Sequence, residues 1–88
     1  MTTQQLLEQK LQTLSPVSLT IQDDSALHAG HAGNTGGAHF TITIVSDAFE
    51  GLSLLKRHRL VYAAVDDLMQ SAIHALSIHA KTPAELHK

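Results

Sequence analysis

Cysteine is absent from this chain, and that absence removes several kinds of function at once. These residues alone make no disulfide, no thiol nucleophile and no thiolate metal site. Tryptophan is missing too, and aromatic residues are only 3% of the 88, so the core has to be built from Leu, Ile, Val and Ala. There is no excess of positive charge: the formal net charge is -2, and bulk electrostatics do not draw the chain to nucleic acid. No run approaches the ~18 apolar residues that span a bilayer, so no membrane partner is expected. The start, Met1-Thr2-Thr3-Gln4-Gln5, lacks the basic residues and apolar stretch of a signal peptide, and a cytoplasmic location is the expectation. What the chain does have is 43% hydrophobic content, enough for one packed domain over residues 1–88 but not for a second core.

The order of elements follows from periodicity. Leu7, Leu11 and Leu14 recur at helical spacing behind a capping box of Thr2 and Gln5, which predicts a helix over about Gln4 to Leu14. Ser15-Pro16 ends it, because a residue before proline is pushed out of the helical region. Val17, Leu19 and Ile21 alternate with Ser18, Thr20 and Gln22 as a half-buried strand. Asp23 to Ala38 is a long loop holding four of the five glycines. Phe40, Ile42 and Ile44 then alternate with Thr41 and Thr43 as a second strand, and Asp47 to Gly51 is turn material. Ser53 to about Met69 reads as the longest helix, with an inner stripe of Leu54, His58, Val61, Val65 and Leu68. A third strand over about Ile73 to Ala80 places His74, Leu76 and Ile78 on one face. Thr82-Pro83-Ala84-Glu85 starts a last helix with a threonine cap, proline at the first position and glutamate at the third.

The resulting fold class is α/β (α+β): an αββαβα order, a three-stranded mixed sheet and helices packed on one face. The strand–helix–strand crossover makes the second and third strands parallel, so both begin at the same sheet edge. His39 begins one and His74 the other, and the loop carrying His28 and His31 empties onto that edge. Seven histidines against zero cysteines are therefore expected to converge, in part, at one place. The other three are read otherwise. His79 and His87 are expected to be solvated, and His58 to serve packing or a buried hydrogen bond.

Neutral imidazole ligates zinc, copper and iron. Iron–sulfur clusters are normally held by thiolates, although Rieske centres place two histidines on one iron. A cysteine-free chain enters such a site only if a partner supplies the thiolates, which predicts a complex. Two alternatives stand beside this one. A simple zinc or copper site would use the same histidines with Asp23 or Asp24. A nucleic-acid surface would use Lys56, Arg57 and Arg59, half of the six basic residues crowded into four positions. Asp66 and Asp67 follow on the same helix, and no aromatic stacking platform accompanies the basic cluster. No nucleophile motif or phosphate-binding loop is present, so the chain is not expected to be an enzyme.

Phe49-Glu50-Gly51, Arg57-His58-Arg59-Leu60-Val61-Tyr62, Ile73-His74-Ala75-Leu76 and Thr82-Pro83 resemble, in that order, the BolA family. The resemblance extends from the first strand to Glu85. His28-Ala29-Gly30-His31-Ala32-Gly33 is similar to the loop of the histidine-type members. The resemblance implies a fold like class II KH domains and partnership with a monothiol glutaredoxin. A [2Fe-2S] cluster is then shared, with thiolates from the glutaredoxin and glutathione and histidine from this chain. No cofactor is expected in the protein alone, which would be a monomer or weak homodimer. His74 matches the family's C-terminal ligand position, while His28, His31 and His39 are all candidates for the second. The implied role is cluster trafficking or iron sensing; the alternative is a DNA-binding transcriptional regulator using Lys56, Arg57 and Arg59.

Overall fold

The computed structural model describes residues 2–24, 38–71 and 73–87. The first helix, α1, spans Thr3–Leu11 and continues as a 3₁₀ turn over Gln12–Leu14. Its capping box is present: the Gln5 N–H donates to Thr2 Oγ1 at 3.1 Å, and the Thr2 N–H donates to Gln5 Oε1 at 2.9 Å. Ser15 stops the helix in the left-handed region, at φ 49°, ahead of Pro16. Leu7 and Leu11 are fully buried by this geometry.

Strands β1 (Ser18–Asp23), β2 (Ala38–Val45) and β3 (Ile73–Lys81) form one sheet in the order β1-β2-β3. β1 and β2 are antiparallel, and β2 and β3 are parallel, as the crossover requires. On the central strand, Phe40, Ile42 and Ile44 are buried against the helices, while Thr41 and Thr43 turn to the other face. The fold is thus mixed α+β, with a three-stranded mixed sheet and helices packed on it.

The expected long helix is two helices, α2 (Leu54–Ala64) and α3 (Asp66–Ser71). The break is at Val65, whose backbone sits at φ -113° and ψ 16°, outside the helical basin. The new start places Asp66 and Asp67 in the first turn of α3, where carboxylates are favoured by the helix dipole. The last element is a 3₁₀ turn, Pro83–His87, not an α-helix. Its predicted cap is nevertheless there: the Glu85 N–H donates to Thr82 Oγ1, and Glu85 Oε1 accepts from the Thr82 N–H at 2.7 Å.

The inner stripe of α2 also differs from expectation. Leu54 is 66% exposed and His58 half-buried, while Arg57 is buried beside Val61. A guanidinium is tolerated there because its partners surround it. Arg57 Nε donates to the Leu52 carbonyl at 3.0 Å, and Nη1 donates to the Ala80 carbonyl at 3.1 Å and to Glu85 Oε1 at 2.7 Å. These bonds tie the start of α2 to the end of β3. Tyr62, one helical turn further on, donates its hydroxyl to the Leu76 carbonyl at 3.1 Å. α2 therefore runs antiparallel to β3, its start at the far end of the sheet from His74.

Candidate functional site

Because β2 and β3 are parallel, their first residues share one end of the sheet. His39 and His74 meet there, with ring centroids 5.1 Å apart and the planes inclined by 43°. His39 is half-buried and His74 exposed. The first of these is braced from β1: its backbone carbonyl accepts the Asp24 N–H at 2.7 Å, and the Asp24 carboxylate accepts a hydrogen bond from the Thr41 hydroxyl.

The way His74 reaches this position departs from simple alternation. Its parity with Leu76 and Ile78 predicts the apolar face, yet it lies in solvent. The register explains this: Ala38 pairs with Ile73, but His39 pairs with Ala75, so His74 is an extra residue in β3. Such a bulge re-aims the side chains around it. Ile73 stays in the core at 5% exposure and Leu76 at 8%, while His74 and Ala75 both turn out. A strand read by strict period two puts His74 inside; one inserted residue puts it beside His39.

His28 and His31 lie outside the described residues, as does the Gly30–Gly33 stretch. Asp23 and Asp24 end β1 near His39, but among the described residues no group of three or more His, Asp or Glu side chains is disposed to hold a metal ion. The zinc or copper site with aspartate help is not assembled by those residues. His79 is exposed on β3. His58 borders a groove of about 360 Å³ between α2 and the edge of β3, together with Leu54, Ile78 and Lys81.

The basic cluster divides. Lys56 and Arg59 are exposed, and Arg57 points inward to the carbonyls and to Glu85. Two features escaped the sequence reading. One is the Arg57–Glu85 lock, hidden because an arginine at an inner helical position looks like surface charge. The other is an outward apolar patch of Leu52, two residues ahead of α2, with Leu55 and Leu60 on the helix; intervals of three and then five residues make no regular helical stripe, which is why it was missed.

Glu85 shows the strongest electrostatic effect. Hydrogen bonding to the Thr82 backbone N–H and then to Arg57 lowers its carboxyl from 4.5 to about 2. It is distant in the fold from the histidine pair and acts on the joint between β3 and α2.

These features define a small α+β domain that presents two imidazoles together at one end of its sheet. A model of the family described as "BolA-like protein" matches residues 11–85, and the chain belongs to the BolA family. It is 54% identical over 79 residues to SufE-like protein 1, chloroplastic/mitochondrial, of Arabidopsis thaliana, covering 83% of this chain and 21% of that protein. It is 50% identical over 84 residues to Protein BOLA1, chloroplastic, of the same plant, covering 90% of this chain and 52% of the relative. The chain thus spans about half the length of the second relative and about a fifth of the first. The DNA-binding transcriptional regulator BolA of Escherichia coli is 36% identical over 80 residues, covering 90% of this chain and 74% of that one.

Among solved structures, the BolA domain of Arabidopsis SufE1 superposes with a TM-score of 0.82 at 50% identity, covering 97% of this chain and 98% of that one. Arabidopsis BolA1 superposes at 0.84 with 47% identity, covering 97% and 96%. BolA-family proteins, among which residues 11–85 place this chain, are non-catalytic adaptors and regulators. The cytoplasmic expectation is overturned: the matched Arabidopsis relatives carry chloroplastic and mitochondrial names, not cytoplasmic ones. That expectation leaned on the first residues of a chain that spans only part of those relatives.

Proposed function

We propose that this chain is an adaptor that binds a monothiol glutaredoxin and shares a [2Fe-2S] cluster with it through histidine, in iron–sulfur trafficking or iron sensing. The observation that carries the reading is the His39–His74 pair, brought from distant parts of the sequence to 5.1 Å between centroids. The donor set fits the group. Two imidazoles serve one iron in Rieske centres, and the remaining positions take thiolates, which this chain lacks and a partner with glutathione supplies. His74 and His39 are the proposed ligands, with His28 and His31 the competing choices for the second. His74, at a bulge, is exposed to a docked partner, and His39 beside it is half-buried. The cluster supplies redox and transfer chemistry when bound, and this chain supplies the imidazoles and the platform that orients them. The same order of helices and strands supports kinship with class II KH domains.

The test is to mix the protein with a monothiol glutaredoxin, glutathione, iron and sulfide under anaerobic conditions and record visible absorption and circular dichroism. A coloured heterodimer is expected, and His74→Ala should abolish or shift its spectrum. An unchanged spectrum in that variant would sink the assignment. Comparing His39→Ala, His28→Ala and His31→Ala identifies the second ligand.

A second reading, transcriptional regulation through DNA, has the name of the E. coli relative in its favour. With Arg57 engaged internally, only Lys56 and Arg59 of the predicted cluster remain to meet phosphates. So few contacts give weak, shallow salt dependence. Retention of a duplex at near-physiological salt, lost on substituting Lys56 and Arg59, would favour this reading.

A further inference from the structure

The outward face of α2 has a composition that neither the cluster site nor the core explains. Leu55, Lys56, Arg59 and Leu60 fall at three- and four-residue spacing, opposite the stripe of Arg57 and Val61 that packs inward, and Leu52 lies just ahead of the helix. Leu55 is 60% exposed and Leu60 36%. Leu52, Lys56, Arg59 and Leu60 line a shallow slot of about 300 Å³. The aliphatic stems of the two basic residues extend its apolar wall, and their charged heads stand at its rim. Neither cation has an acidic partner among the described residues: the ion pairs there are Lys10–Asp67 and Arg57–Glu85.

From this we infer a second docking surface, on the start of α2, for an amphipathic acidic helix of a partner protein. Its leucine-sized side chains would enter the slot between Leu52 and Leu60, and its carboxylates would meet Lys56 and Arg59. Ridges of one helix seat in the grooves of another, and the 3-4 row of Leu55, Lys56, Arg59 and Leu60 offers such a groove. Charge selects among occupants. A second copy docked by two-fold symmetry sets Lys56 and Arg59 against their own kind, which repels. A nucleic-acid backbone satisfies two cations but leaves the leucines facing phosphates. A partner with both apolar and acidic groups satisfies the whole face.

The surface is also separate from the histidine pair. Arg57 reaches Ala80 and Tyr62 reaches Leu76, so the start of α2 lies toward the C-terminal end of β3. The six residue steps from His74 to Ala80 span roughly 20 Å. Docking here does not depend on cluster binding, and its failure would leave the cluster reading untouched.

The probe is a synthetic helix-forming peptide of Glu, Ala and Leu, with leucines every third and fourth residue, titrated into the isotope-labelled full chain at near-physiological salt. Amide shifts confined to Leu52–Leu60 are expected, with the His39 and His74 amides unmoved. Replacing the peptide's leucines with serine should weaken binding roughly tenfold or more. Lys56→Glu with Arg59→Glu, both on exposed positions, should weaken it roughly tenfold while keeping the spectrum dispersed. No shifts at millimolar peptide, shifts elsewhere, or equal binding of a lysine-for-glutamate peptide would overturn the inference. So would tighter binding at this face by a short DNA duplex or phosphatidylglycerol vesicles, or shifts there that depend only on the chain's own concentration.

Discussion

At position 57 the chain sets a guanidinium where the helical stripe calls for an aliphatic side chain, and the neighbouring polar groups decide whether that is tolerable. Two carbonyls, of Leu52 and Ala80, and the Glu85 carboxylate accept its protons. Arg57→Met keeps the volume of the stem and removes the donors, leaving both carbonyls without that partner. We expect a loss of roughly 2–3 kcal/mol in denaturant unfolding at neutral pH. A loss below roughly 0.5 kcal/mol, the range of ordinary surface substitutions, would show that the lock is ornamental. Glu85 adds a pH signature. Its folded carboxyl titrates at about 2 against an ordinary 4.5, chiefly through the Thr82 N–H and then Arg57. A lowered folded value means that the unfolded chain binds the proton more readily. The contribution is therefore fully present above pH 4.5 and is lost as pH falls toward 2. Glu85→Gln should flatten that part of the stability–pH curve, and NMR titration of the wild-type carboxyl should find a midpoint near 2. A midpoint at the ordinary value would refute the effect.

At the level of elements, most of the fold was legible because one signal dominated each segment. Period two in Phe40, Ile42 and Ile44 marks a strand whatever surrounds it, and the Thr2–Gln5 and Thr82–Glu85 spacings mark starts through local hydrogen bonds. Parallel pairing followed from the strand–helix–strand crossover, and with it the meeting of His39 with His74. What was not legible depends on contacts between elements. The break at Val65 interrupts a stripe that continues in sequence, and the inward turn of Arg57 depends on Ala80 and Glu85 from the far end of the chain. The bulge at His74 is set by the register against β2. Its role is open to direct trial: deleting Ala75 makes the alternation regular, with Ile73 in, His74 out and Leu76 in. We expect the core to survive, seen as a dispersed amide spectrum, while the altered spacing of the histidines changes or abolishes the cluster spectrum with glutaredoxin. An unaltered cluster in the folded deletion would show that the bulge has no part in ligand placement. Capping gives a further measure: Ser53 Oγ accepts the Lys56 N–H at 3.3 Å, and Ser53→Ala should cost α2 about 1 kcal/mol in thermal or denaturant unfolding.

For the molecule as a whole, the important property is that its two exposed chemistries sit at opposite ends of one small core. His39 and His74 stand where β2 and β3 begin, and the leucine–lysine–arginine face stands where β3 ends. Between them lie Ile42, Ile44, Phe49 and Val61, each fully buried in a single cluster. Such an interior transmits strain only if it repacks, and neither face borrows a side chain from the other. Two sites roughly 20 Å apart along β3 are expected to behave additively, because coupling beyond about 10 Å without shared partners is small. If both proposals hold, the expected consequence is an adaptor that holds a cluster-sharing partner and a second protein at once, with neither excluding the other. The measurement is a double-variant cycle. His74→Ala should leave binding of the acidic leucine peptide within about twofold of the parent, since additivity holds to about 0.3–0.5 kcal/mol. Lys56→Glu with Arg59→Glu should leave the cluster spectrum with glutaredoxin unchanged, and all three substitutions together should show both losses at their single-variant sizes. If peptide binding instead changed tenfold when the cluster formed, the two ends would be coupled and the core would have two packings, one favoured by each partner.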